Sequence, residues 1–219
     1  MDRLQQLRKL LIGEELDYQF LLHALRDYAK PRDKISRYLR NGDLIRVKKG
    51  LYVFGESYRQ NLISLEVLAN LIYGPSYLSL EYALSFYGFI PERVECLTSM
   101  TTQKNKLFHT PLGVFSYQHI ALHKYREGLV QQTRDGRRYF IMASPEKAIL
   151  DVLDQHPPFS QLNDLLEFLC HDLRIEESYL KKLSIPSLTK LTKIYNRSSA
   201  WILLKWLKSQ SLKTNHIEI

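Results

Sequence analysis

Residues 30–54 read KPRDKISRYLRNGDLIRVKKGLYVF, and the parsing of this stretch decides the fold. Pro31 suits the first turn of a helix, where its missing N–H has no partner to lose. Ile35, Tyr38 and Leu39 recur at three- and four-residue spacing and share one face, leaving Arg32, Asp33, Arg37 and Arg40 on the others. Asn41-Gly42 ends the helix, because Gly tolerates the left-handed conformation found just past a helix end. Residues 44–47 and 51–54 are β-prone runs, and Lys48-Lys49-Gly50 between them is a hairpin turn. A helix followed by such a ribbon is a winged helix-turn-helix. Its helix is shaped to offer arginines to a major groove, and its wing to lay lysines beside phosphates.

The segment upstream completes the unit. Residues 2–12 read as a helix with Leu4, Leu7, Leu10 and Leu11 as its buried stripe, closed by Gly13. Asp17 caps a second helix through about Tyr28, with Phe20, Leu21, Ala24 and Leu25 facing inward. Only Ala29 and Lys30 then separate it from the Pro31 helix, close to the short turn of a helix-turn-helix. Between Arg26 and Lys49 there are nine basic residues against three acidic ones. Solvated charge on helix faces is the ordinary fate of such residues. Their placement on both the helix and the wing tip favours nucleic acid.

Composition bounds the rest. A chain of 219 residues with 45% hydrophobic content supports a sizeable core. The net charge of +8 leans toward nucleic acid or an acidic partner and away from a neutral metabolite. Cys96 and Cys170 form no metal-spaced pair and point to a reducing compartment. With no signal peptide and no apolar run of membrane-crossing length, a soluble cytoplasmic protein is expected.

A domain boundary is expected near residues 55–60, dividing the chain into a winged helix over 1–58 and a mixed domain over 59–219. Residues 61–73 read as a helix stopped by Gly74-Pro75, and Ser79 caps a short helix through Tyr87. A small sheet follows over about 94–142, from strands near 95–101, 106–110, 113–117, 129–133 and 137–142, the last two joined by Arg134-Asp135-Gly136. Ser144-Pro145-Glu146 is a helix start, and helices fill about 144–210, with Pro186 as a break. The fold class is therefore α+β. Between Ser178 and Lys213 there are eight basic residues and no acidic one. Lys181, Lys182, Lys190, Lys193, Arg197, Lys205 and Lys208 thus form either a solvated helical face or a docking surface for an acidic partner or RNA.

Three segments resemble the AbiEi-family antitoxins of type IV (abortive infection) toxin–antitoxin systems. They are Arg46-Val47-Lys48-Lys49-Gly50-Leu51-Tyr52-Val53, then Tyr77-Leu78-Ser79-Leu80-Glu81-Tyr82-Ala83-Leu84 with Tyr87-Gly88-Phe89-Ile90, and Ser144-Pro145-Glu146-Lys147-Ala148-Ile149-Leu150-Asp151. They fall in the family's order. The resemblance implies a winged helix that represses its own operon, and a second domain that counteracts a nucleotidyltransferase-like toxin without a tight complex. The segment before the wing departs from the family in its high charge and in lacking a Thr/Ser-rich opening.

The residues for catalysis are not assembled in the sequence. There is no glycine-rich phosphate loop, no Gly-x-Ser-x-Gly elbow and no Asp-x-Asp arrangement to hold paired Mg²⁺ ions. His119 and His123, four apart, have the spacing of zinc ligands on one helix face but lack a Glu or Cys at metal spacing, so exposed or packed histidines are expected. Asp151 and Asp154 are expected on an ordinary helix surface, with Asp151 near a lysine. Cys96 and Cys170 are expected to be buried. No metal, cofactor or enzymatic activity is expected. The DNA-binding set is Lys30, Arg32, Ser36, Arg37 and Arg40 on or near the recognition helix, with Arg46, Lys48 and Lys49 on the wing. Arg37 and Arg40 are the expected base readers. The alternative is a non-catalytic protein- or RNA-interaction module that docks through the winged helix and the basic C-terminal helices.

Overall fold

The computed structural model describes residues 3–214. Helix α1 (Arg3–Leu10) buries Leu4 and Leu7. The expected start at Asp2 lies outside the described residues, and the expected continuation to Ile12 is not formed. Arg8 is the reason. Its guanidinium turns inward and donates to the carbonyl oxygens of Leu11 and Gly13, so the chain folds back around it. Leu10, expected in the buried stripe, is exposed, as is Ile12. Strand β1 (Glu15–Asp17), absent from the sequence reading, follows. Helix α2 (Tyr18–Ala24) is capped by Asp17, whose carboxylate accepts from the N–H groups of Gln19 at 2.7 Å and Phe20 at 3.3 Å. It stops four residues before the expected end, and Phe20 faces outward.

Helix α3 (Pro31–Arg40) begins on Pro31 and is followed by Gly42 at φ +75°. Strands β2 (Leu44–Lys48) and β3 (Leu51–Phe54) form the hairpin, with a bulge between Arg46 and Lys48. The sheet order is β1-β3-β2. Its two faces go to different places. Tyr52 and Phe54 pack with Leu4, Leu16, Leu21, Ile35 and Tyr38, whereas Val47, Leu51 and Val53 join the core of the rest of the chain. All four residues of β3 are therefore buried. Gly55 lets the chain leave this ribbon, since a Cβ there would stand 1.7 Å from the Gly42 carbonyl oxygen.

The link onward is a buried ion pair. Arg8 Nη1 lies 2.8 Å from Glu14 Oε2, with both side chains almost wholly out of solvent, and the guanidinium stacks over the Phe54 ring at 4.7 Å. Glu14 Oε1 accepts from the backbone N–H of Asn61 at 2.8 Å, tying the winged helix to the connector. Because Asn61 is held there, the next helix begins later than expected. It is α4 (Leu65–Ile72), capped by Ser64.

A mixed six-stranded sheet of order β6-β7-β5-β4-β9-β8 forms the second body. Its strands are β4 (Ser76–Leu78), β5 (Leu97–Thr101), β6 (Lys106–Thr110), β7 (Gly113–His119), β8 (Leu129–Thr133) and β9 (Tyr139–Ala143). The sheet thus starts well before residue 94. The unexpected β4 sits in its interior, antiparallel to β5 and parallel to β9. Helix α5 (Leu80–Phe86) follows β4 and α6 (Leu122–Tyr125) follows β7. Helix α7 (Pro145–Gln155), capped by Ser144, is buried over eight consecutive residues from Glu146 to Leu153. Then come α8 (Leu162–Glu167) running into a π-helical turn at Phe168–Asp172, α9 (Glu177–Leu180), α10 (Ile185–Tyr195) and α11 (Ser198–Thr214). Pro186 is not a break. It lies in the first turn of α10, where a missing N–H costs nothing.

Candidate nucleic-acid interface

Helix α3 is two-faced. Ile35 and Tyr38 are buried, while Arg32, Asp33, Ser36, Arg37 and Arg40 are exposed. Arg32, Ser36 and Arg40 are spaced i, i+4, i+8 and form one ridge, with Asp33 and Arg37 beside it on the next. Ser36 Oγ donates back to the Arg32 carbonyl oxygen at 3.1 Å. Lys34 is turned to the flank, its ammonium 4.5 Å from the Tyr38 ring centroid and 5.3 Å from that of Tyr28. Among the described residues, Arg32, Arg37 and Arg40 make no ion pair, although Asp33 and Arg37 have the i, i+4 spacing for one. Three guanidiniums thus stand on one helix face with their donors unspent.

Lys30, at the N-cap of α3, and Arg46, on edge strand β2 opposite Tyr52, are both exposed. Lys49 is exposed at the wing tip. Lys48 is placed otherwise. Its chain is half-buried and its ammonium donates to the carbonyl oxygen of Ile72, the last residue of α4. Burial, and secondarily the nearby Lys106, lower the pKa of Lys48. The charge that the wing tip itself presents to solvent is therefore that of Lys49.

A second concentration of polar groups lies inside the second body, and it corrects the expected surface position of Asp151. Asp151 is fully buried. It accepts from Ser79 Oγ at 2.6 Å, from Tyr77 Oη at 3.0 Å and from Tyr195 Oη, with Lys147 Nζ at 3.7 Å. Lys147 in turn donates to the Lys124 carbonyl at 2.7 Å and to Tyr195 Oη at 2.8 Å. Burial pushes the Asp151 carboxyl up, against the pull of Lys147 and the three hydroxyls, and pushes the Lys147 ammonium down. The cluster joins β4, α7 and α10 and is sealed from solvent, so it is a pin for the fold rather than a place for a substrate. Asp154, also on α7, pairs with Lys124 at 2.8 Å and with Arg197 at 3.4 Å.

A cleft of about 850 Å³ opens beside the connector, between residues 62–66, α5, residues 93–97 and the β8–β9 turn. Glu66 at its base accepts from Tyr82 Oη at 2.8 Å and from Arg134 Nε. Burial acts to raise the Glu66 pKa, but the Arg134 hydrogen bond, a backbone hydrogen bond and the Tyr82 hydroxyl together outweigh it and leave the carboxyl below its ordinary value. The polar groups at the base of this cleft satisfy one another.

The basic C-terminal helices are less open than their composition implies. Lys181 pairs with Glu177 at 2.7 Å, Lys190 with Glu127 at 2.5 Å, and Lys182 stacks on Tyr179. Arg197 holds the end of α7 through Asp154 and the His156 carbonyl oxygen. Lys193, Lys205 and Lys208 are exposed. His119 ends β7 and His123 lies in α6, so they share no helix face. Cys96 and Cys170 are half-buried, not buried. Among the described residues, no group of three or more His, Cys, Asp or Glu side chains is placed to hold a metal ion, and no helix is long and apolar enough to cross a membrane.

No protein-family model matches the chain. No curated protein matches it in sequence. Among solved structures, it is similar to the crystal structure of the RV2827C protein from Mycobacterium tuberculosis, with a TM-score of 0.60 and 16% identity over 94% of this chain and 74% of that one. At that identity the likeness speaks for the fold of nearly the whole chain and assigns no residue a role.

Proposed function

We propose that the chain is a sequence-specific DNA-binding repressor of its own operon. In this role α3 enters the major groove, Arg37 and Arg40 reach base edges, and Lys30, Arg32, Ser36, Arg46 and Lys49 position the duplex through phosphates. The observation that carries this is the outward face of α3, where three arginines stand unpaired beside an exposed wing tip. Exposed unpaired guanidiniums clustered on one rigid element create a local positive potential that a polyanion neutralises. Lys48 has a smaller part, because its ammonium is engaged by the Ile72 carbonyl.

Within that role the chain acts in the cytoplasm as the antitoxin of a type IV toxin–antitoxin pair, opposing a nucleotidyltransferase-like toxin without a stable complex. The three AbiEi-like segments support this. Two of them contribute to one buried centre: Tyr77 and Ser79 meet Lys147 and Asp151 there. The resemblance therefore falls on residues that hold the second body together. Binding of the pure protein to its upstream DNA, compared with random duplex at two salt concentrations, tests the repressor role. Rescue of growth in cells expressing the neighbouring toxin gene tests the antitoxin role. The other reading, an interaction module docking through Lys193, Lys205 and Lys208, draws on the exposure of those three lysines. It calls for partner binding that survives charge reversal on α3.

A further inference from the structure

One side of the wing turn packs against the second body, while Lys49 stays exposed. Besides the bond from Lys48 to the Ile72 carbonyl, Lys48, Lys49 and Gly50 share a crevice with Leu71 of α4 and with Glu15 and Asp17 on the β1 side. The wing therefore abuts the end of the large sheet where α4 finishes, β4 and β6 start, and β5 finishes. The loops at this end are bound together. Thr101 Oγ1 donates to the Pro75 carbonyl at 2.8 Å, and Gln103 Nε2 donates to the Gly74 carbonyl at 2.5 Å.

Lys104 and Lys106 project from this end of the sheet and are exposed. Lys106 is the first residue of β6, and its ammonium lies 5.4 Å from the Tyr73 ring centroid and 5.1 Å from that of Phe108. Tyr73 directly follows Ile72, so the ammonium groups of Lys48 and Lys106 gather around the same helix end. Their proximity contributes to the lowered pKa of Lys48. Among the described residues, neither Lys104 nor Lys106 has an ion-pair partner, and neither does Lys49. The carbonyl end of α4 and the aromatic faces offset part of this positive charge. The remainder faces solvent, continuous with the wing tip.

We propose that the phosphate backbone of a bound duplex runs off the wing onto this edge, with Lys104 and Lys106 as contacts supplied by the second body. The interface is then longer than the winged helix, and its outer part is blind to sequence. The proposal rests on the DNA-binding role of α3. It adds that the second body, fixed to the wing through Lys48 and the shared core face of β3, takes part in holding the duplex.

The test uses the full chain and its upstream site in two duplexes, one extended beyond the wing side and one cut flush with it. The variant is Lys104→Gln with Lys106→Gln, which keeps much of each side-chain stem, and Lys104→Glu serves as a second variant whose side chain has no partner to lose. Each phosphate contact contributes about 0.9 to the slope of log affinity against log salt. On the extended duplex, the double variant should therefore lose about tenfold less affinity than the wild type between about 50 and about 200 mM salt. On the flush duplex the two should run parallel, with base discrimination unchanged on both. Lys104→Glu should weaken the extended duplex alone. Specific, salt-dependent binding by the wild type with an unchanged slope in the double variant would overturn the extended interface and leave the role of α3 intact. Failure of the wild type to bind either duplex would overturn both. Equal slopes on DNA, with loss of binding to RNA or to a protein partner, would assign the edge to that partner and overturn the proposal.

Discussion

Replacing Asp151 with alanine should unfold the second body far more readily than its one-atom-group scale implies. Asp151 is the shared acceptor for Tyr77, Ser79 and Tyr195, and the charge partner of a Lys147 that is itself fully buried. Truncation leaves the ammonium with the Lys124 carbonyl, the Tyr195 hydroxyl and the Tyr77 and Tyr195 rings but without its carboxylate, and leaves three hydroxyls without their acceptor. Breaking a buried pair by removing one partner costs about 3–5 kcal/mol, because the surviving charge is uncompensated. The individual hydrogen bonds are not added to this, since they belong to one network. At about 2–4 °C per kcal/mol for a chain of this size, Tm should fall by on the order of 10 °C. Urea denaturation of the wild type, Asp151→Ala, Lys147→Met and the double variant measures both the loss and the coupling. The double variant should recover part of what Asp151→Ala loses, because it buries no lone charge. A loss under about 1 kcal/mol in Asp151→Ala, or strict additivity in the double variant, would refute the network as the pin between β4, α7 and α10.

Two further outcomes concern the interface and the cleft. Arg37→Ala should lose about 1–3 kcal/mol of discrimination between operator and random duplex, whereas Lys49→Ala should weaken all duplexes alike; competition titrations separate the two, and an equal loss on both duplexes for Arg37→Ala would remove its base contact. Glu66 has a folded-state pKa below its ordinary value of 4.5, so its contribution to stability is present above that value and is lost as the pH falls through the folded one. Wild-type urea midpoints should accordingly drop more steeply than those of Glu66→Gln below about pH 4.5, and parallel curves would contradict the Arg134 and Tyr82 assignment.

The parts of the structure legible in the sequence are those set by neighbours along the chain. Pro31 and Gly42 bound α3, and Gly50, at φ +90°, turns the wing, each by local conformational preference. The outward arginines of α3 follow from the spacing of Ile35 and Tyr38 alone. Strands β1 and β4 were not legible because each has three residues, too few for a period, and each exists through pairing with distant strands. The buried place of Asp151 is illegible for the same kind of reason. Its hydroxyl partners lie 72, 74 and 44 residues away, and no local pattern announces them. On a helical wheel the apolar residues of α7, Ala148, Ile149, Leu150, Val152 and Leu153, cover one side and leave Asp151 on the other beside Lys147 and Asp154, so the local pattern itself points to a surface position. Likewise Lys48 reads as a wing-tip cation until α4 is folded against the ribbon, when the Ile72 carbonyl becomes its nearest acceptor.

The most direct measurement is the affinity of the pure full chain for its own upstream DNA against random duplex of equal length, at two salt concentrations. The proposed repressor role predicts tighter binding to the upstream sequence, and a loss of affinity on both duplexes as salt rises. Binding to neither duplex, or equal binding to both, would contradict sequence-specific recognition by this chain.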